Sequence, residues 1–352
     1  MFFVPSLNKL NLRTNPHLRL IAGQHRFYNL REILTPAREH HFGVGAINCR
    51  RLEIATAVLN TAFKLRAPVI IEIAESESEY CAITPKELAD HVLKKTNELT
   101  AKYDYYVPIC LHLDHLKNNF NLIDQAIMAG FSSVAADQSH YPLEKNIEMT
   151  QKVVKKCHPL GVSVEGEIGE IQSAAAGKEK NLDANLNRYL PTVPEVVKFV
   201  SKTKIDAFAG FFGNLHGEYL ETPIIAWQRI IDIASAIDIP VVMHGGSYLH
   251  TEDFDELEVF RHAIKCGCHK FNYSTKLSDI FKAYLPAALL QEMENSVAEP
   301  RNWRKALGPF KEKIDRLDPE KLKNAEKAIE NHLELMMTNA WLSKDKLRCY
   351  KS

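Results

Sequence analysis

No apolar run in this chain approaches the ~20 residues that a membrane-spanning helix requires, so a transmembrane protein is not expected. Net charge is also absent: 44 Lys+Arg balance 44 Asp+Glu. Without a basic field, nucleic acid and anionic membrane surfaces are poor partners, and a small molecule is the better expectation. Cysteine is sparse, seven in 352 residues, with Cys49, Cys110, Cys266 and Cys268 inside apolar segments. That usage argues against a disulfide framework and for a reducing, cytoplasmic setting. Cys266 and Cys268 are one residue apart with no second pair, which leaves core packing rather than a zinc knuckle. No Gly-, Ser- or Pro-rich linker divides the chain. The opening "MFFVPSLNKLNLRTNPHLRL" lacks a signal peptide's apolar stretch and a transit peptide's serines. With Lys9, Arg13, Arg19, Arg26 and Arg31 ahead of its first acid, Glu32, it reads as an appended arm over residues 1–29.

What the chain has is a regular alternation. "FGVGAIN", "PVIIEIA", "YVPICLHL", "FSSVAAD", "GVSVEGEI", "DAFAGFF", "IPVVMH" and "HKFNYS" are short, nearly continuous apolar runs, each followed by a segment with helical spacing of apolar residues. Continuous runs suit strands buried on both faces, hence a parallel sheet. Eight strand-then-helix units predict an α/β fold, a (β/α)8 TIM barrel, over residues 30–352. "TPKE" is expected to open a helix with Thr84 as cap, Pro85 in the first turn and Glu87 completing a capping box. After Leu277 the chain is helix-prone to its end, and the long segment opened by Asp318 and Pro319 is expected to pack on a partner or across the barrel base.

Polar residues gather at the C-terminal ends of the predicted strands, on the rim where barrel active sites lie. Strand three ends in "LHLDHLKN" with His112, Asp114 and His115; strand five carries Glu165 and Glu167; "GNLHGEY" brings His216, "MHGGS" His244 and "NYST" Asn272. A lone histidine is more often a hydrogen-bonded core or surface residue. Three on separate strand ends of one rim suit a divalent transition ion, with a coordination position left for substrate. His216 and His244 each precede glycine, which lets backbone N–H groups approach an anion. Ser247, Asn272, Ser274 and Thr275 stand at the ends of strands seven and eight, the frequent phosphate position of barrels.

Assembled, these motifs resemble the class II, metal-dependent fructose-bisphosphate aldolases and their tagatose-bisphosphate relatives, from about Leu30 to the region of Trp303. The resemblance implies that His115, His216 and His244 bind a catalytic zinc, or another divalent ion, with Glu167 an alternate or supporting carboxylate. It implies that Asp114 exchanges a proton with the C4 hydroxyl of a ketose phosphate, most simply fructose 1,6-bisphosphate, as it is split to dihydroxyacetone phosphate and glyceraldehyde 3-phosphate. Gly217, Gly245, Ser247, Asn272, Ser274 and Thr275 would surround the dihydroxyacetone phosphate end and a monovalent cation, Na+ or K+. Asn48 would touch substrate, and Arg301 would reach the distal phosphate, across a homodimer or larger homo-oligomer. "INC" and "EPRNW" match the longer, dimeric branch of the family, whose place is glycolysis.

The departures concern substrate. Glu72 and Ala74 stand where the family commonly has Gln and Ser, and a carboxylate beside a phosphate repels it unless it points elsewhere. Leu220 replaces a common lysine, and Ser274 and Lys276 replace the usual acids near the threonine. In the loop "GEIQSAAAGKEKNLD", Glu179 is the best candidate for the second catalytic carboxylate and Glu170 a lesser one, with a plain solvated charge an equal alternative. A relative acting on another sugar phosphate, a non-catalytic sugar-phosphate-binding paralogue and a metal-dependent hydrolase stay open at this point.

Overall fold

The computed structural model describes residues 20–21, 25–117, 119–169, 189–219 and 221–350. The eight apolar runs form β1 (Val44–Asn48), β2 (Val69–Ala74), β3 (Ile109–Leu116), β4 (Ser133–Ala136), β5 (Ser163–Ile168), β6 (Ala207–Gly210), β7 (Val241–Met243) and β8 (Cys268–Asn272). Each pairs in parallel with the next, and β8 pairs with β1 through Asn272 opposite Ala46, so the sheet closes into a barrel with helices outside. Branched and small apolar side chains face both the interior and the helices, as a sheet covered on both faces demands.

One mouth of the barrel is plugged. Tyr28 donates its amide to Ile109, the first residue of β3, and Leu30 donates to Ser163 Oγ at the start of β5. The helix Leu30–Glu39, capped reciprocally by Asn29 and Glu32, buries Leu30, Ile33, Leu34 and Ala37 against this end. Phe27 and Tyr28 are already part of the core. Only the opposite mouth, at the C-terminal strand ends, is left for a cavity.

Two local expectations come out differently. Thr84 does cap the helix Pro85–Tyr103, accepting from the Glu87 amide at 3.1 Å, but the Glu87 carboxylate pairs with Lys311 at 2.7 Å, so half of the capping box forms. The helix Pro319–Leu335, opened by Asp318, lies along the helix Leu52–Leu65 through Asn60–Glu330 and Lys64–Glu334 contacts, completing the outer ring rather than crossing the base. A π-turn at Met336–Ala340 then sets the Trp341 ring against β1 at Gly45, where a Cβ would sit 2.4 Å from it. Tyr350 reaches the base, donating to the Ile33 carbonyl.

Candidate metal centre and substrate cavity

The geometry of β3 decides how its polar end is used. Alternation turns His112 and Asp114 into the barrel and would turn His115 away. The strand does not stop before His115, as strict alternation would require for an inward ring; it runs on to Leu116 with a register shift between Leu113 and Leu116. His115 itself adopts φ 45°, a left-handed conformation uncommon for a non-glycine residue. This single kink brings the His115 ring to 4.8 Å from that of His216 and 4.6 Å from that of His244, centre to centre.

The other two histidines sit on loops bound to each other. Tyr219 Oη donates to the Gly245 carbonyl and accepts the Leu215 amide, while Asn214 donates to the His244 carbonyl. Gly245, at φ 66°, lies so close to this loop that a Cβ would meet the Leu215 carbonyl oxygen at 2.1 Å. A rigid two-loop frame therefore carries His216 and His244.

His115, His216 and His244 each offer a ring nitrogen within 4.8 Å of the others, a spacing suited to one small cation. Their partners leave the right atoms free. Asp137 takes His115 Nδ1 at 3.0 Å and Glu165 takes His244 Nε2 at 3.0 Å, each carboxylate fixing a ring as metal-site carboxylates do. His244 Nδ1 is buried without a partner. Burial, then the neighbouring imidazoles, holds His216 and His244 below the ordinary histidine range, as neutral ligands. Burial acts the same way on His115, but Asp114, Asp137 and Glu167 outweigh it and hold this ring protonated, so a cation entering here displaces a proton.

Other clusters of potential ligands fit a metal less well. Glu72, His112, Asp114, Glu165 and His244 surround Lys270, whose ammonium lies 3.0 Å from Glu165 and 3.4 Å from Glu72 in the centre of the barrel. Burial disfavours that charge, yet Glu165, Glu72 and Asp114 keep it above the ordinary lysine range. A dication beside a fixed ammonium would be repelled. His115, Asp137 and Glu167 form a further group sharing a histidine with the triad. Burial, then the Asp137 carboxylate, raises Glu167 to about 8, and its Oε2 lies 3.9 Å from His115 Nδ1.

Asp114 is held for proton transfer. Its Oδ2 accepts from Asn48 at 3.0 Å and from Asn272 at 3.4 Å, and lies 3.8 Å from His115 Nε2. Burial opposes its ionisation, but His115, His244, Lys270 and His112 hold its carboxyl well below the usual range. Glu72 does not face a phosphate: it points into the barrel, bound to Asn272 Nδ2 at 2.8 Å and facing Lys270.

A cavity of about 480 Å3 opens above these groups, lined by Asn48, Asp114, His115, His216, Gly217, His244, Gly245, Ser247, Asn272, Ser274 and Thr275. Ser247 Oγ accepts the amides of Ser274 and Lys276, shaping the turn into the helix Thr275–Lys282. At Gly217 a Cβ would meet nothing within 4 Å, so its backbone faces open space. Arg301 is exposed beside Glu299 and does not line the cavity of its own chain, whereas Arg304, Lys305 and Arg50 do. Glu179, Glu170 and Leu220 lie outside the described residues. Sequence reasoning missed Lys270, Asp137, Arg50 and Arg304. A lysine within an apolar strand and an aspartate closing "VAAD" were the signals for the first two; nothing local marked the arginines.

A model of the family described as fructose-bisphosphate aldolase class-II matches residues 28–340. The fructose-bisphosphate aldolase of Staphylococcus epidermidis is 32% identical over 286 residues, 81% of this chain and 92% of its own. That of Staphylococcus aureus is also 32% identical, with the same coverage. The YdjI aldolase of Escherichia coli K12 superposes with a TM-score of 0.67 at 20% identity over 91% of this chain and 99% of its own. The fructose-bisphosphate aldolase of Campylobacter jejuni does so with 0.63 at 22%, over 92% and 95%. At these identities the two structures establish the fold alone.

Proposed function

The chain belongs to the class II fructose-bisphosphate aldolase family, and from that premise we propose that it is a lyase performing reversible aldol cleavage of a ketose phosphate, fructose 1,6-bisphosphate first. The observation that carries the reading is the convergence of the His115, His216 and His244 nitrogens within 4.8 Å beside an ionised, buried Asp114. These three histidines would hold the zinc on which the family depends, with Glu167 close enough to His115 to act as an alternate carboxylate. When bound, the ion supplies a Lewis acid for the carbonyl end of the substrate.

The chain's own groups account for the rest. Asp114 accepts the proton of the C4 hydroxyl; the C3–C4 bond breaks, C4 becomes the carbonyl carbon of the aldehyde, and the bonding electron pair stays on the triose as an enediolate. Asn48 and Asn272, both donating to Asp114 Oδ2, hold that carboxylate in line for the transfer. Gly217, Gly245, Ser247, Ser274 and Thr275 offer amides and hydroxyls for the triose phosphate, with room for a monovalent cation. Return of a proton to C3 falls to a separate acid, for which Glu179 is the candidate. Arg301, exposed beside Glu299, would serve the cavity of a neighbouring copy in a homodimer or larger homo-oligomer of a cytoplasmic enzyme.

The test is triose phosphate release from fructose 1,6-bisphosphate by the metal-loaded protein, followed through a coupled dehydrogenase, with and without chelator. Chelator should abolish turnover and added zinc restore it. Turnover that survives complete removal of metal defeats the mechanism, and a metal-loaded protein inert toward a panel of ketose phosphates defeats the activity.

A further inference from the structure

The floor of the cavity is explained by the metal and Asp114, but one wall is not. Arg50 follows β1, two residues beyond Asn48, and its Nε bonds the buried Glu77 carboxylate at 2.6 Å while Nη1 reaches Ser278 Oγ at 3.1 Å. That leaves Nη2 without a partner among the described residues. Arg304, from the turn Pro300–Ala306, meets Asp279 at 3.4 Å through Nη1. The same Asp279 already accepts from Tyr248 Oη at 2.9 Å and Trp303 Nε1 at 3.3 Å, so the pairing is shared. Nε and Nη2 of Arg304, and the ammonium of Lys305, have no partner among the described residues, although all three side chains line the cavity. Burial, then the nearby Arg50 guanidinium, pushes Arg304 below its usual range, which marks two cations facing one space. The acids on this wall are not all free to neutralise them: Glu77 is committed to Arg50, and Glu75 accepts the amides of Lys117 and Asn119. Glu79 is the exposed acid left there.

The position of this wall identifies what it would face. The triose phosphate groups Gly217, Gly245 and Ser247 follow β6 and β7, whereas Asp114, which takes the C4 proton, ends β3 and is tied to Asn48 of β1. A ketose stretched from the first set past Asp114 points its other end toward the ends of β1 and β2, where Arg50 and Glu77 lie. We propose that Arg50 and Arg304, assisted by Lys305, form a clamp within the chain for a terminal oxyanion, phosphate or carboxylate, on the aldehyde half of the substrate. The guanidinium fork suits either group, since both present coplanar or near-coplanar oxygens to paired N–H donors. Glu77 serves as the post that fixes Arg50 in the wall, because an arginine tied at Nε keeps its outer edge directed at the cavity. The clamp also accounts for Ala74, which offers no hydroxyl at this end of the cavity.

This inference rests on the aldolase reading, and the experiment separates the two. Steady-state kinetics of the metal-loaded full chain are compared on fructose 1,6-bisphosphate and on fructose 1-phosphate, which lacks the distal anion, for the wild type, Arg304→Met and Arg304→Lys. Losing one charge-assisted contact predicts a rise in KM for the bisphosphate on the order of tenfold or more. KM for the monophosphate should stay within about twofold, and Arg304→Lys should recover part of the loss because charge returns without the fork. Condensation of dihydroxyacetone phosphate with phosphate-ended and carboxylate-ended aldehydes then tells which oxyanion is read. Equal rises for both ketoses overturn the proposal, since the pair would then read the triose phosphate, and so does no change in either. Should the wild type turn over neither sugar, the aldolase reading fails by itself. Isothermal titration of the same two ketoses then decides the clamp, upheld by tighter bisphosphate binding that Arg304→Met removes and overturned by equal binding. Circular dichroism melts of each variant confirm folding, and Arg50→Lys, which keeps the Glu77 pairing charge, provides a second variant if Arg304→Met does not fold.

Discussion

Replacing Lys270 with methionine tests whether the barrel centre is held by charge. The ammonium sits 3.0 Å from Glu165, 3.4 Å from Glu72 and 2.9 Å from Asn272 Oδ1, with no solvent exposure. At an effective dielectric of about 20, each ion contact at such distances amounts to roughly 5 kcal/mol before desolvation. Desolvation of the ammonium offsets much of that, but its removal leaves two carboxylates buried without a counter-charge, a change that typically costs about 3–5 kcal/mol. An unfolding entropy of about 2.1 cal/mol/K per residue gives about 0.7 kcal/mol/K for 352 residues, so Tm should fall by about 4–7 °C. The deficit should also depend on pH. Burial, then Asp114, already raises Glu72 well above its ordinary value despite Lys270. A carboxyl whose folded pKa is raised contributes fully below about 4.5 and loses that contribution as pH climbs through the folded value. Lys270→Met raises Glu72 further, so the variant should lag the wild type more at pH 8 than at pH 5. Circular dichroism melts at both pH values measure this, with Lys270→Met/Glu72→Gln expected to recover part of the loss. A Tm within about 1 °C of wild type at pH 8 would refute the argument, because a central ammonium that can be deleted freely is not balancing buried charge.

Asp114→Asn should lower kcat by about 10²–10⁴-fold while bound zinc, measured by elemental analysis, stays near one per chain, since the residue moves a proton without being one of the three ring donors. Loss of metal in that variant would make it a ligand instead. Gly245→Ala should destabilise the chain by about 3 kcal/mol or prevent its folding, because its Cβ would fall 2.1 Å from the Leu215 carbonyl oxygen at a φ of 66°; denaturant titration reads the effect, and a neutral outcome would mean the two histidine loops are not tightly joined.

The eight-strand order was readable because each buried strand needs a continuous apolar run, and "PVIIEIA" or "IPVVMH" cannot be satisfied at a surface. The site was readable where polar residues interrupt such runs at their C-terminal ends, as His115, His216 and His244 do. Legibility failed where a side chain's role depends on what faces it across the barrel. Glu72 looked like an obstacle to phosphate, yet Lys270, almost 200 positions later, captures it in the interior. Arg50 and Arg304 come from opposite ends of the chain, and no spacing rule links them.

By itself, then, the sequence determined the repeat of units, the parallel sheet and the cluster of imidazoles and carboxylates on one rim, since all three follow from local pattern and strand direction. Tertiary structure decided the rest. Closure set Lys270 among three carboxylates, a positive φ at His115 turned that ring to its partners against the pleat, and the Asn214 and Tyr219 contacts fixed the distance between two loops. These are consequences of close packing and of charge compensation at low dielectric, which depend on neighbours in space rather than in sequence.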